Sequence, residues 1–227
     1  MGFKMRGGHV VNDWMEVIPE DIREKYEFHN YNHAAEILSA AFPAHWDEII
    51  SALRSFVLSE ADIVAGGGSE SAIPKKLSAS LRPAGWEEMR ITGDLLVKLH
   101  SRRSAVLSER TISNFIDSHN IDYVKGEVAV DLEWNSKDQT FDRDLYAFRM
   151  FYECGVIACG VIITRSVSLN PIFSRLGILK KYGASTTWMG KLLPRIQSRR
   201  HGGCPLLVVG ITPRVLLDGE EAAYVCT

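Results

Sequence analysis

Three acidic residues near the middle of the chain have the types and spacing of a metal site. Asp122, Asp131 and Glu133 fall within one short stretch, and between Glu127 and Glu133 apolar residues alternate with Ala129 and the acids. Because successive side chains of a strand point to opposite faces, a strand here predicts Asp131 and Glu133 on one face. Carboxylate oxygens are hard ligands, so this face favours Mg²⁺, with Mn²⁺ as the alternative.

A β-hairpin is predicted to bring Asp122 to the same face. If Lys125 and Gly126 form a two-residue turn, Asp122 lies opposite Ala129 and diagonal to Asp131, about 7–8 Å away. Three carboxylates at this range repel one another unless a cation lies between them. The competing interpretation is the solvent-exposed face of an amphipathic hairpin, on which acids are common and need no cation.

The charge of the chain is unevenly distributed. The net charge is only −2, yet residues 154–217 contain no acidic residue. These 64 residues, the acid-free segment, contain nine basic ones: Arg165, Arg175, Lys180, Lys181, Lys191, Arg195, Arg199, Arg200 and Arg214. Because Lys and Arg displace counterions from phosphates, the segment predicts a surface for a polyanion, with chance clustering as the alternative. A divalent metal beside a cationic surface is what phosphodiester cleavage requires.

Several other classes of site are disfavoured. The seven histidines form no His-Glu-x-x-His pattern, no Gly-x-Ser-x-Gly is present, and the four cysteines have neither zinc-site spacing nor the density of a disulfide scaffold. No apolar run approaches the roughly 20 residues of a transmembrane helix, and residues 1–11 lack the apolar stretch of a signal peptide. We therefore expect a cytoplasmic protein with no membrane partner.

Helices and strands alternate in the predicted order of elements. Helical periodicity covers residues 32–42, 43–57, 145–153 and 188–197. Strand signals cover residues 128–134, 160–164 and 206–211. This order predicts an α/β fold with a mixed central sheet. We expect one domain over residues 1–227, with an N-terminal arm or short helix within 1–27 and a C-terminal tail at 214–227.

Five segments share a pattern with one enzyme family: Tyr31–Leu38 followed by Pro43 and Trp46, Asp122–Glu133, Ile162–Thr164, Gly183–Leu192 and Pro205–Pro213. Across residues 28–213 the chain thereby resembles the BglII/BstYI-like type II restriction endonucleases of the PD-(D/E)xK superfamily. The resemblance implies a restriction-endonuclease-like fold, in which helices flank a mixed central β-sheet. It also implies a Mg²⁺-dependent homodimer that hydrolyses both strands of a short palindromic site in double-stranded DNA.

The resemblance assigns roles to the three acids. Asp122 and Asp131 take the positions of metal ligands, and Glu133 completes the catalytic set. Glu133 stands where most nucleases of the wider fold have Lys and where this family has Gln. Whether Glu133 binds metal, orients the attacking water or accepts its proton stays open at this point.

DNA contacts are also carried over from the resemblance. Asn135, Ser136 and Lys137 match a base-reading stretch, and their amide, hydroxyl and ammonium groups suit the edges of the major groove. Polar residues of a surface loop are the alternative there. A second recognition loop is matched by Ser185, Thr186 and Thr187, for which a helix N-cap is the alternative. Phosphate or other DNA contacts are expected from Lys180, Lys181, Lys191, Arg199 and Arg200.

Three functions remain in competition. The leading hypothesis is a type II restriction endonuclease. A repair or structure-specific nuclease with the same fold would instead produce smears or nicks from a plasmid, where a restriction enzyme produces discrete bands. A non-cleaving DNA-binding protein is disfavoured, because carboxylates near phosphates weaken binding unless a metal is present.

Overall fold

The computed structural model describes residues 14–65, 71–103 and 106–216. The helices are α1 (Glu20–Arg23), α2 (Ala34–Ala41), α3 (Pro43–Ser55), α4 (Glu60–Val64), α5 (Ala72–Leu81), α6 (Thr140–Glu153), α7 (Asn170–Arg175) and α8 (Met189–Gln197). The strands are β1 (Tyr26–Tyr31), β2 (Glu87–Met89), β3 (Thr92–Leu99), β4 (Ser108–Asp117), β5 (Ile121–Lys125), β6 (Val128–Glu133), β7 (Cys159–Arg165) and β8 (Leu206–Ile211). None of the helices in these ranges is both long enough and apolar enough to span a lipid bilayer.

A mixed sheet organises this part of the chain. Within the described residues its six strands follow the order β1-β8-β7-β6-β5-β2. The central strands β6, β7 and β8 run parallel, whereas β1 pairs antiparallel at one side and β5 and β2 at the other. Strands β3 and β4 form a separate antiparallel hairpin. The predicted α/β class, a mixed central sheet flanked by helices, is confirmed.

Both faces of the central strands are covered by helices. Every residue of β7 and β8 is buried, as expected for parallel strands rich in Val, Ile and Leu. On one face, Leu38 of α2 and Leu53 of α3 belong to the same apolar cluster as Val161 of β7. On the other face, Phe148 of α6 clusters with Val208 of β8. The sheet therefore holds α6 against the strand that carries Asp131 and Glu133.

Several elements differ from the sequence-based expectation. The strand predicted at 206–211 matches β8, but α6 begins five residues before its predicted start at 145. Strands β1 to β4 were not predicted. Within the segment expected to be an arm, Ile18, Ile22 and Tyr26 are buried in the core. Residues 1–13 of that arm and 217–227 of the expected tail lie outside the described residues.

The turn between β5 and β6 corrects the predicted hairpin register. Lys125 pairs with Val128, so the turn consists of Gly126 and Glu127 rather than of Lys125 and Gly126. Gly126 has φ +52°. The favoured two-residue hairpin turns need a positive φ at their first central position, which glycine adopts without strain. The corrected register, continued by one residue, places Asp122 directly opposite Asp131 and not opposite Ala129.

We expect Gly160→Ala to loosen the packing of α6 on the sheet. A Cβ at position 160 would lie 2.2 Å from Cε1 of Phe148 and 3.0 Å from Cδ2 of Leu206. Overpacking of this kind typically costs about 1–3 kcal/mol of the free energy of unfolding, to be measured by urea denaturation. Gly203→Ala is the matched control, since its new Cβ would meet Cε1 of Tyr152 at 3.7 Å, an ordinary contact. Equal stability of the two variants would contradict this account.

Candidate metal centre

Strands β5 and β6 hold the two aspartates against each other. The backbone amide of Asp122 donates to Oδ1 of Asp131 at 3.2 Å. In return, Oδ2 of Asp122 accepts from the backbone amide of Leu132 at 3.4 Å. Glu133 lies two residues beyond Asp131 on β6, so the two side chains share a face. The structure thus brings together the three acids that the sequence singled out.

Helix α6 contributes a fourth carboxylate, Asp144, which the sequence analysis missed. One oxygen from each of Asp131, Glu133 and Asp144 lies within 4.8 Å of the others. A signal was present in the sequence: Asp144 occupies a core-facing position among Phe141, Leu145 and the other buried residues of α6. A carboxylate buried on the apolar face of a helix must be stabilised by a cation, by a proton or by a hydrogen-bond donor.

The carboxylates of this cluster are poorly solvated and poorly paired. Asp131 is 4% exposed and Asp144 2% exposed. Both carboxylate oxygens of Asp144 and Oε2 of Glu133 are buried without a hydrogen-bond partner among the described residues. A buried polar group without a partner costs about 1–3 kcal/mol, and a charged one costs more. The cluster therefore favours the uptake of positive charge, as protons or as a cation.

Burial shifts the titration of all four acids in the same direction. Burial raises the pKa of Asp122. It raises the pKa of Asp131 well above its ordinary range, and the charge of Asp144 raises the pKa of Asp131 further. Burial and then the Glu133 charge raise the pKa of Asp144 in the same way. The pKa of Glu133 rises to about 7, again mainly because of burial. Glu133 is therefore poised to exchange a proton near neutral pH.

A cavity of about 560 Å³ gives access to part of the cluster. Asp122 and Glu133 line it, together with Arg82, Asn135 and Ser136. Asp131 and Asp144 do not line it, and both are buried. The cluster therefore has an accessible side, formed by Asp122 and Glu133, and an inner side.

The two stretches expected to read DNA bases lie next to each other. Lys137 forms an antiparallel bridge with Thr186. The amide of Thr187 donates to the Ser136 carbonyl at 2.9 Å, and the Ser136 amide donates to Oγ1 of Thr187 at 3.1 Å. The N-cap of α8 is Trp188, which makes no side-chain cap, so Ser185, Thr186 and Thr187 do not cap this helix. Asn135 is half-buried beside Ser136, at the cavity wall.

Most charges of the acid-free segment are engaged within the folded chain. The Lys181 ammonium donates to the carbonyls of Ile63, Val64 and Ala65 at the end of α4. Acids that precede the segment in sequence pair with its other members: Lys191 and Arg195 with Asp138, and Arg195 and Arg200 with Asp142. Among the described residues, Lys180 and Arg199 are exposed and form no ion pair. The surface charge is therefore smaller than the segment composition suggests.

Comparison with known proteins finds one family. Residues 26–211 match the family model described as restriction endonuclease BglII/BglIII. The matched range begins at β1, ends at β8 and includes all four carboxylates. No curated protein matches the chain.

We expect Glu133→Gln to stabilise the metal-free protein at alkaline pH. Burial raises the pKa of Glu133 from 4.5 to about 7 on folding, so its contribution to stability is present below pH 4.5 and is lost as pH rises to about 7. In EDTA at about pH 8, the Tm of the variant should exceed the wild-type Tm by at least about 2–4 °C, the shift produced by roughly 1 kcal/mol. The difference should shrink towards about pH 5.

The difference in Tm between the wild type and Glu133→Gln isolates the contribution of Glu133. Burial lowers the pKa values of His119 and His201, and these shifts act in the opposite sense in an overlapping pH range. Both histidines are present in wild type and variant, so their effect cancels in the difference. A Tm difference that does not change with pH would show that Glu133 is not titrating in this range.

Proposed function

Because this chain belongs to the BglII/BglIII restriction endonuclease family and is a site-specific deoxyribonuclease, we propose that it hydrolyses both strands of a short palindromic DNA site with Mg²⁺. The observation that carries the metal requirement is the buried group of carboxylates from β6 and α6, in which both oxygens of Asp144 and Oε2 of Glu133 have no hydrogen-bond partner among the described residues. Oxygen ligands with net negative charge fit Mg²⁺ or Mn²⁺. As the family resemblance implies, Asp122 and Asp131 would hold the ion. A bound divalent cation supplies Lewis-acid stabilisation of the negative charge that develops on the phosphate.

Glu133 is assigned the role of proton acceptor or water-orienting group. It lines the cavity from which the phosphodiester would approach, and in the metal-free protein burial raises its pKa to about 7. The neighbouring Asp122 lines the same cavity. Its Oδ2 is held by the Leu132 amide, which fixes the carboxylate relative to β6.

DNA recognition is assigned to the paired stretches 135–137 and 185–187. Both carry amide, hydroxyl or ammonium groups, and the backbone bridge from Lys137 to Thr186 makes them one continuous surface. The side chain of Thr187 is buried and accepts a hydrogen bond from the Ser136 amide, so it positions the surface, whereas Ser185, Ser136 and Lys137 are exposed on it. A palindrome presents two equivalent half-sites, which a homodimer with twofold symmetry matches.

Phosphate contacts are assigned first to Lys180 and Arg199, whose charges are exposed. Lys191 and Arg200 share ion pairs with Asp138 and Asp142, so DNA would have to displace those acids. Lys181 is bound to the end of α4. It lines the cavity, but its ammonium is already hydrogen-bonded to backbone carbonyls and is therefore less available to a phosphate than that of an exposed lysine.

Removing either aspartate should severely reduce the rate of cleavage. We expect Asp122→Ala and Asp131→Ala each to lower the rate of plasmid cleavage in Mg²⁺ by on the order of 10²–10⁴-fold, as loss of a group at the reacting centre does. DNA binding should persist, measured by fluorescence anisotropy in Ca²⁺, because each change removes negative charge near the phosphate. The wild type should produce discrete bands.

Asp47→Ala is the matched control for this experiment, since it removes an exposed acid from α3. It should cleave like the wild type. Full cleavage by Asp122→Ala or Asp131→Ala would refute the assigned ligands. Smears or nicks from the wild type would instead indicate a nuclease without a defined palindrome.

The salt dependence of binding should distinguish the two adjacent lysines. We expect Lys180→Ala to lower the slope of log K against log salt by about 0.9 for each lost phosphate contact. Lys181→Ala should change the slope less and lower the Tm instead, because its ammonium binds three carbonyls of the chain. Anisotropy titrations at several salt concentrations give both slopes. A larger change in slope from Lys181→Ala would place the phosphate contact there.

A further inference from the structure

We propose that Asp144 is a metal ligand, and that Asp131, Glu133 and Asp144 form an inner cation site that binds a divalent ion before DNA arrives. The proposal rests on the function proposed above and adds to it a ligand from α6. It places one oxygen of Glu133 on the ion, so Glu133 then orients the attacking water rather than accepting its proton. Neither the sequence pattern nor the family resemblance pointed to this residue. Its placement is a result of tertiary packing alone.

The surroundings of Asp144 compensate its charge only in part. The side chain is 2% exposed, and both of its oxygens lack a hydrogen-bond partner among the described residues. The adjacent Arg143 is exposed, and its guanidinium donates to Oγ1 of Thr140 at 3.4 Å. A buried carboxylate that served only to stabilise the fold would accept hydrogen bonds from its neighbours. Asp144 accepts none from the described residues, so its partner is one that the chain itself does not supply.

Other acids of the chain behave differently. Asp138 and Asp142 both form ion pairs with Arg195. Asp62 accepts from Lys76 at 2.6 Å and from the Ser59 amide at 2.7 Å. These three carboxylates are satisfied by the protein, whereas both oxygens of Asp144 lack a hydrogen-bond partner among the described residues and lie close to the carboxylates of Asp131 and Glu133.

The spacing of the oxygens fits one bound ion. Ligand oxygens on opposite sides of Ca²⁺ are up to about 5.2 Å apart, and those around Mg²⁺ up to about 4.2 Å, from the usual metal–oxygen distances. The oxygens of Asp131, Glu133 and Asp144 lie within 4.8 Å of one another. Since only one pair of three ligands can lie on opposite sides of an ion, a shift of the side chains by less than about 1 Å would complete the site for Ca²⁺, Mg²⁺ or Mn²⁺. The inner site is therefore nearly formed without DNA.

Metal binding by the full-length protein, without DNA, tests the proposal. After EDTA treatment and its removal, Ca²⁺ and Mn²⁺ are titrated by calorimetry, and Mn²⁺ is also followed by electron paramagnetic resonance. We expect the wild type to bind, and Asp144→Asn to bind on the order of 10- to 100-fold more weakly, because it loses a charged ligand. Asp142→Asn is the matched control on the same helix and should bind like the wild type.

A second readout separates a ligand from a structural residue. In EDTA, Asp144→Asn should raise the Tm, since it removes one of several repelling buried charges. If the Asn variant does not fold, Asp144→Leu, which fills a similar volume without a polar atom, is used in its place. Wild-type metal affinity in the Asp144 variant, a lower Tm in EDTA with unchanged metal binding, or no saturable binding by the wild type would each overturn the proposal.

Measuring DNA cleavage and metal binding together distinguishes a failure of the inner site from a failure of the proposed function. A wild type that cleaves DNA in Mg²⁺ while Asp144→Asn keeps its metal affinity would overturn the inner site and leave the nuclease function intact. A wild type that cleaves no DNA, but whose metal binding depends on Asp144, would support the inner site and contradict the proposed reaction.

Discussion

The desolvation of four carboxylates between β5, β6 and α6 is the constraint on which the rest of the site depends. Burial raises the pKa of each of them, and their mutual repulsion adds to the effect at Asp131 and Asp144. The fold keeps these groups together although they destabilise it in the charged state. Such an arrangement persists in a protein when it serves a function, and a bound cation is the partner that removes both costs.

The central sheet provides the rigidity that this arrangement needs. Strand β6 lies between β5 and β7, so its backbone is paired on both sides. At its end, Oγ1 of Thr164 in β7 donates to the Glu133 carbonyl at 2.7 Å. The chain then leads directly into the stretch 135–137, which is bonded to 185–187. The carboxylate cluster and the proposed recognition surface are thus connected by a few residues of well-anchored backbone, an arrangement that would favour accurate placement of a phosphodiester.

The basic residues show that the charge counted along a sequence segment differs from the charge exposed on the folded surface. The acid-free segment suggested a strong polyanion surface, yet Asp138 and Asp142, which precede it in sequence, pair with Lys191, Arg195 and Arg200. Arg165 is 1% exposed, and its guanidinium lies over the rings of Phe173 and Tyr182. Because ion pairs form between elements distant in sequence, counting charges along a segment overestimates those available to DNA.

By itself, the sequence determined the α/β class, the central strands, and the shared face of Asp131 and Glu133. These follow from local periodicity and apolar composition, which neighbouring residues encode. It did not determine the hairpin register, because the position of Gly126 within the turn decides which residues pair. It also did not place Asp144, whose contact with Asp131 depends on how α6 docks across the sheet. Only tertiary packing brings a helix residue to a strand, so the fourth carboxylate appeared only in the structure.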